Sequence, residues 1–142
     1  MKAGVATLAV FLSLATSAFA APPPLSVDKS AGVLIDSASA AKLWAENVPA
    51  NVLKLYPRKK YRFVSDVGGG FNEAKMCIVT AQAMLLPVVQ LPIRGTTLVY
   101  APVKSATTFD AVGGLSQEQC QDLARAKLKE AIQPVVSALV AT

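Results

Sequence analysis

The sequence predicts an α+β fold: a small antiparallel sheet of three to four strands with an N-terminal and a C-terminal helix packed on one face. Three observations carry this. Capped, amphipathic helical patterns occur near Asp36 and Ser116, strand-like runs punctuated by Gly and Pro fill the middle, and Cys77 and Cys120 are the only cysteines. Cys77 lies in a strand-like run and Cys120 in the first turn of the last helical pattern. A bond between them ties sheet to helix.

The first twenty residues have the three parts of an export signal. Lys2 gives a positive start, Val5 to Ala15 an apolar stretch, and Ala18-Phe19-Ala20 the small residues that place a cut before Ala21. The apolar stretch is only about half the roughly 20 residues a spanning helix needs. The expected location is therefore periplasmic or secreted, in a bacterial context. Losing Lys2 takes fourteen Lys and Arg to thirteen against nine Asp and Glu, a net of +4. In an oxidising compartment an even cysteine pair in a small domain pairs, and Cys77 and Cys120 are expected as a disulfide. A redox-active pair usually has Cys-x-x-Cys spacing, which these two lack.

Residues 21–35 read as an extended, Pro-rich N-terminal segment led by Pro22, Pro23 and Pro24. Residues 36–142 read as one α+β domain. Asp36 or Ser37 caps a helix whose Ala40, Leu43, Trp44 and Val48 share a face, and Pro49 stops it. Trp44 is then a core anchor rather than a ligand-stacking ring. Val52, Leu53 and Leu55 add a turn before Pro57.

Lys60 to Val67 alternates as a strand, and Gly68-Gly69-Gly70 reads as the hairpin connection to the next strand. A phosphate cradle would need a helix N-terminus with Lys or Ser/Thr after the glycines, and Phe71-Asn72-Glu73 does not supply one. The eighteen residues from Met76 to Ile93 carry no charge. Met76 to Thr80 reads as the returning strand, buried on both faces, with Pro87 and Pro92 marking a bent edge or loop. A membrane span is the competing reading of this stretch. Thr96 to Ala101 predicts a third strand, and Thr107 to Phe109 a short fourth.

The last helix opens on a capping box, Ser116 with Gln119, and Leu115 staples onto Cys120. Cys120, Leu123, Ala124, Leu128, Ala131 and Val135 share its apolar face. Pro134 removes one donor and predicts a kink or restart.

The chain has no histidine. That removes the usual general base and the Ser-His and Cys-His nucleophile arrangements. With both cysteines oxidised, zinc would have carboxylates alone, a poor complete set. No cofactor, metal or nucleic-acid partner is expected. Arg58-Lys59-Lys60 with Arg62, flanked by Tyr56 and Tyr61, is a local positive field suited to an anionic envelope component or an acidic protein.

The leading functional expectation is an exported, non-catalytic envelope or secreted protein with a binding or assembly role and an unidentified partner. The second is a protein that docks on a membrane surface through the basic run and the apolar stretch from Met84 to Ile93. The third is an enzyme using converging carboxylates (Asp66, Glu73, Asp110) or a Ser-Lys site drawn from serines such as Ser65, Ser105 and Ser116.

Overall fold

A computed structural model of the chain describes residues 25–90, 97–99 and 101–141. The export signal, Pro22 to Pro24, Pro92 and Ile93 lie outside the described residues. The elements in order are β1 (Ser26–Asp28), α1 (Ser37–Asn47), α2 (Ala50–Leu55), β2 (Tyr61–Phe71), β3 (Met76–Gln90), β4 (Thr97–Val99), β5 (Lys104–Gly113) and α3 (Gln117–Val140). This is an α+β fold, with α3 packed on the sheet.

β3 is the central strand. β2 pairs antiparallel with one edge over Tyr61↔Pro87 to Phe71↔Cys77. The other edge is shared: β5 takes Met76 to Leu85 and β4 takes Val88 to Gln90. The sheet is thus four strands wide. It is also mixed rather than wholly antiparallel, because β1 adds to β2 in parallel, Val27 against Val64. Part of the segment expected to be extended, Ser26–Asp28, is a strand of the sheet.

The glycine triplet does not make the turn. Gly68, Gly69 and Gly70 continue β2, paired with Thr80, Val79 and Ile78. Gly69 and Gly70 have φ of 125° and 138°, which only glycine adopts without strain. At Gly69 a Cβ would lie 2.0 Å from the Ile78 carbonyl oxygen. The triplet lets two backbones meet inside a twisted ladder.

The turn itself falls one step later, at Asn72 to Lys75. Lys75 N–H donates to the Asn72 carbonyl (2.9 Å), Asn72 N–H to the Met76 carbonyl (3.0 Å), and the Asn72 side chain accepts from Met76 N–H (2.9 Å). Lys75 sits in the left-handed region at φ 56°. A three-residue loop of this kind usually places glycine there.

β3 is buried on one face over most of its length. Cys77, Val79, Ala81, Ala83 and Leu85 are fully buried, whereas Ile78, Gln82 and Met84 are half-buried and Thr80 is exposed. Burial reaches both faces only toward the end, at Leu85 and Leu86. The uncharged stretch is strand, and no helix among the described residues is long and apolar enough to cross a membrane. Pro87 lies within β3, beyond the Leu85↔Lys104 pair that ends β5. Odd-numbered β3 residues bond toward β5, as the Val103 N–H donating to the Leu85 carbonyl illustrates (2.8 Å). The donor that Pro87 lacks therefore falls where that partner strand has stopped.

Both predicted helices form, with the predicted caps. Asp36 caps α1, accepting from Ser39 N–H at 2.8 Å, and α1 buries Ala40 and Trp44. The hydrogen bonds from Ser39 hold the Asp36 carboxyl below its ordinary range. Val48 ends α1, and Pro49 caps a separate α2 that buries Val52. Trp44 meets Phe63 with ring centroids 5.1 Å apart, so it is the core anchor the pattern predicts.

In α3 the capping box is complete, Ser116 Oγ accepting from Gln119 N–H and Gln119 Oε1 from Ser116 N–H. α3 buries Cys120, Ala124, Leu128, Ala131, Ile132, Val135 and Leu139. It runs through Pro134 without ending, since that residue sits on the exposed face, where water can serve the Glu130 carbonyl.

The Cys77–Cys120 disulfide joins β3 to the first turn of α3, with Cα atoms 5.7 Å apart. Closing its 43-residue separation stabilises the fold by roughly 4 kcal/mol in the chain-entropy account.

Two neighbouring substitutions separate the roles within the triplet. Gly69→Ala is expected to cost roughly 3 kcal/mol or more in urea unfolding, because its Cβ meets backbone and its φ is strained. Gly68→Ala has no atom within 4 Å of the new Cβ and is expected to change stability by less than about 1 kcal/mol. Equal losses would contradict the strand assignment.

Candidate functional site

The basic run forms a turn. Arg58, Lys59 and Lys60 make the turn between α2 and β2, closed by Lys60 and Tyr61 N–H groups donating to the Pro57 carbonyl (2.9 and 3.1 Å). The Arg62 guanidinium folds back to donate to the Arg58 and Tyr61 carbonyls. It braces the turn. Lys59 and Lys60 are exposed, and the Tyr56 and Tyr61 rings pack edge to face at 5.2 Å. The turn adjoins the apolar end of β3, because Val88 N–H donates to the Lys60 carbonyl at 2.8 Å.

The carboxylates considered for catalysis do not converge. Asp66 lies on the sheet face away from the helices, Glu73 is in the hairpin turn, and Asp110 faces α3 in an ion pair with Lys127 at 3.2 Å. Lys127 also meets Glu130 at 2.7 Å. Hydrogen bonds that the Lys127 ammonium donates to Glu130 and Asp110 raise its pKa. The serines are occupied or isolated. Ser116 is a helix cap, and Ser65 is buried and donates to Asp28 Oδ1 at 3.2 Å. Ser105 is exposed beyond the core. Two Ser-x-x-Lys spacings occur, at Ser26 with Lys29 and Ser39 with Lys42. Ser39 Oγ donates to Asp36 (2.7 Å) and Lys42 pairs with Glu46 (3.8 Å), so the second spacing makes no dyad. Among the described residues no group of three or more His, Cys, Asp or Glu could hold a metal.

The arrangement with the most unused bonding capacity is the sheet face opposite the helices. Strand register puts Asp66, Gln82 and Thr107 in one cross-strand row and Gly68, Thr80 and Phe109 in the next. A shallow cleft of about 320 Å³ is lined by Asp66, Gly68, Thr80, Gln82 and Thr107. Gly68 leaves the floor open by having no side chain. Phe109 beside it is 63% exposed. The side chains of Asp66, Thr80, Gln82 and Thr107 make no hydrogen bond or ion pair among the described residues. Sequence reading considered Asp66 only as a catalytic acid and did not single out Thr80, Gln82 or Phe109. The signal was present: from Cys77 to Ala83 the odd residues are apolar or small, while Thr80 and Gln82 interrupt the even ones.

Sequence reading also missed Asp28, which organises the chain below this face. Its carboxylate accepts from Ser30 N–H and Oγ (3.2 and 2.6 Å), Ser37 Oγ (3.2 Å) and Ser65 Oγ (3.2 Å). Ser30 Oγ in turn accepts from Val67 N–H at 2.8 Å. One carboxylate thus holds β1 to β2 and to the start of α1.

No family model, curated protein or solved structure matches the chain.

Asp28→Ala leaves the fully buried Ser65 hydroxyl without its acceptor. It is expected to lower unfolding free energy by about 1–3 kcal/mol in urea titration. A loss below about 0.3 kcal/mol would show that Asp28 does not organise this corner.

Proposed function

We propose that the protein is an exported, non-catalytic component of the bacterial envelope or secretome that binds a partner across its uncovered sheet face. The observation that carries this reading is the pair of rows formed by Asp66, Gln82 and Thr107 with Thr80 and Phe109. A large exposed aromatic ring beside unpaired carboxylate, amide and hydroxyl groups is a surface suited to a polar partner. The helices and the Cys77–Cys120 bond hold that surface from behind. The disulfide is compatible with an oxidising compartment, and the Lys2 to Ala20 signal supports export.

A second reading has its own observation. The exposed Lys59 and Lys60 adjoin the β3 end where Val89 is also exposed. A cationic turn beside an apolar strand end suits the surface of an anionic membrane, where each cation contributes on the order of 1 kcal/mol.

Cell fractionation with intact-mass analysis is expected to find a chain beginning at Ala21 with no free thiol in the envelope or medium. Crosslinking in those cells should capture a partner that Phe109→Ala and Gln82→Ala release, with affinity reduced roughly 10- to 100-fold. A cytoplasmic chain beginning at Met1, or capture unchanged by both substitutions, contradicts the reading. For the membrane alternative, vesicles containing anionic lipid are expected to co-float the protein at low salt and release it at high salt. Absence of co-flotation at low salt ends it.

A further inference from the structure

The two sides of the sheet end differently. On the β2 side, β1 and the Asp28 corner cover Phe63 to Val67. On the other side β5 presents a ten-residue edge that pairs with β3 alone among the described residues. Its pairing with β3 is residue for residue, with no bulge, and it contains no proline. Proteins usually blunt such an edge with charges, proline or bulges, because its free N–H and C=O groups recruit another strand. Here only Lys104 and Asp110 are charged.

The register says which groups are free. β3 bonds toward β5 through its odd-numbered residues, which oppose Lys104, Ala106, Thr108, Asp110 and Val112. The backbone groups of Ser105, Thr107, Phe109 and Ala111 therefore point outward. Ser105, Thr107 and Phe109 are exposed.

We infer that β5 pairs antiparallel with β5 of a second copy of this chain, about a two-fold axis at Thr107. Charge complementarity selects both the occupant and the register. With Thr107 opposite its own copy, Lys104 opposes the partner's Asp110 on each side of the axis. Ser105 opposes the partner's Phe109, and Ala106 the partner's Thr108. Shifting the axis to Lys104 or to Asp110 would place like charges against each other. The chosen register also satisfies antiparallel geometry: the outward-facing residues form the bonded pairs, making about six inter-strand hydrogen bonds, and Lys104 meets Asp110 in a closer, non-bonded pair. Lys104 has no ion-pair partner among the described residues. In the pair it joins the existing Asp110–Lys127–Glu130 chain. The contact is isologous, so it closes at two copies. The Asp66–Gln82–Thr107 row then runs continuously through both copies. The inference does not depend on export or on what binds the open face.

Sedimentation analysis of the purified, disulfide-bonded protein over micromolar to submillimolar concentrations tests this. The expected result is a reversible monomer–dimer equilibrium. Thr107→Pro removes an outward donor without touching the bonds to β3, and is expected to leave a monomer with unchanged circular dichroism. If that variant misfolds, Lys104→Glu decides instead: it sets a like charge against Asp110 at two symmetric positions and should weaken the dimer roughly tenfold. A monomer at every concentration overturns the inference. So does a dimer that Lys104→Glu leaves unchanged, or one that a folded Thr107→Pro leaves unchanged.

Discussion

The structure depends on the close approach of α3 to the odd-numbered face of β3. Ala81 and Ala83 on the strand and Ala124 and Ala131 on the helix are all fully buried. Small side chains on both surfaces bring the backbones near enough for Thr108 Oγ1 to donate to the Lys127 carbonyl at 2.8 Å. Leu85, Leu128, Ile132 and Leu139 fill the space beside them. The disulfide reinforces one end of this contact, and its position follows from the same geometry: Cys77 is the first odd residue of the strand, and Cys120 is in the first turn of the helix. α1 and α2 complete the layer through Trp44 and Val52.

Putting α1, α2 and α3 on one side has a consequence for the other. A strand alternates its side chains, so a sheet covered by one helical layer leaves every second residue to meet something else. On the far face near Val64 and Leu86 that residue is buried. From Asp66 to Phe109 it is not. There the side chains are polar or aromatic, and their carboxylate, amide and hydroxyl groups have no partner among the described residues. The helical layer supplies rigidity, and the opposite face supplies chemistry. The positive charge that stands out in composition serves a local purpose in part, since Arg62 closes the turn it belongs to.

The helices were legible because their signals are local. Asp36 with Ser39, Ser116 with Gln119, and the 3.6-residue spacing of buried positions each lie within a few residues of one another. The disulfide was legible because two cysteines allow one pairing. The hairpin was misplaced for a physical reason: glycine triplets mark positive φ, and positive φ occurs in turns and in tightly opposed strands alike. The true turn hides its left-handed residue as Lys75. The parallel β1 and the Asp28 corner depend on contacts between residues 37 positions apart, such as Asp28 with Ser65, and no short window contains both. The open face was obscured because Met76 to Ile93 was read by its lack of charge rather than by its alternation. The basic run was found, but the way the Arg62 side chain returns to backbone carbonyls depends on the turn geometry.

The central claim is that one face of this sheet is covered by helices while the other is open from Asp66 to Phe109. Hydroxyl-radical footprinting with residue-level mass spectrometry tests it most directly, because oxidation rate follows side-chain exposure. The account predicts rapid modification of Phe109, intermediate rates at Met76 and Met84, and strong protection of Trp44 and Phe63. Phe109 protected as fully as Trp44 in the monomer would contradict it.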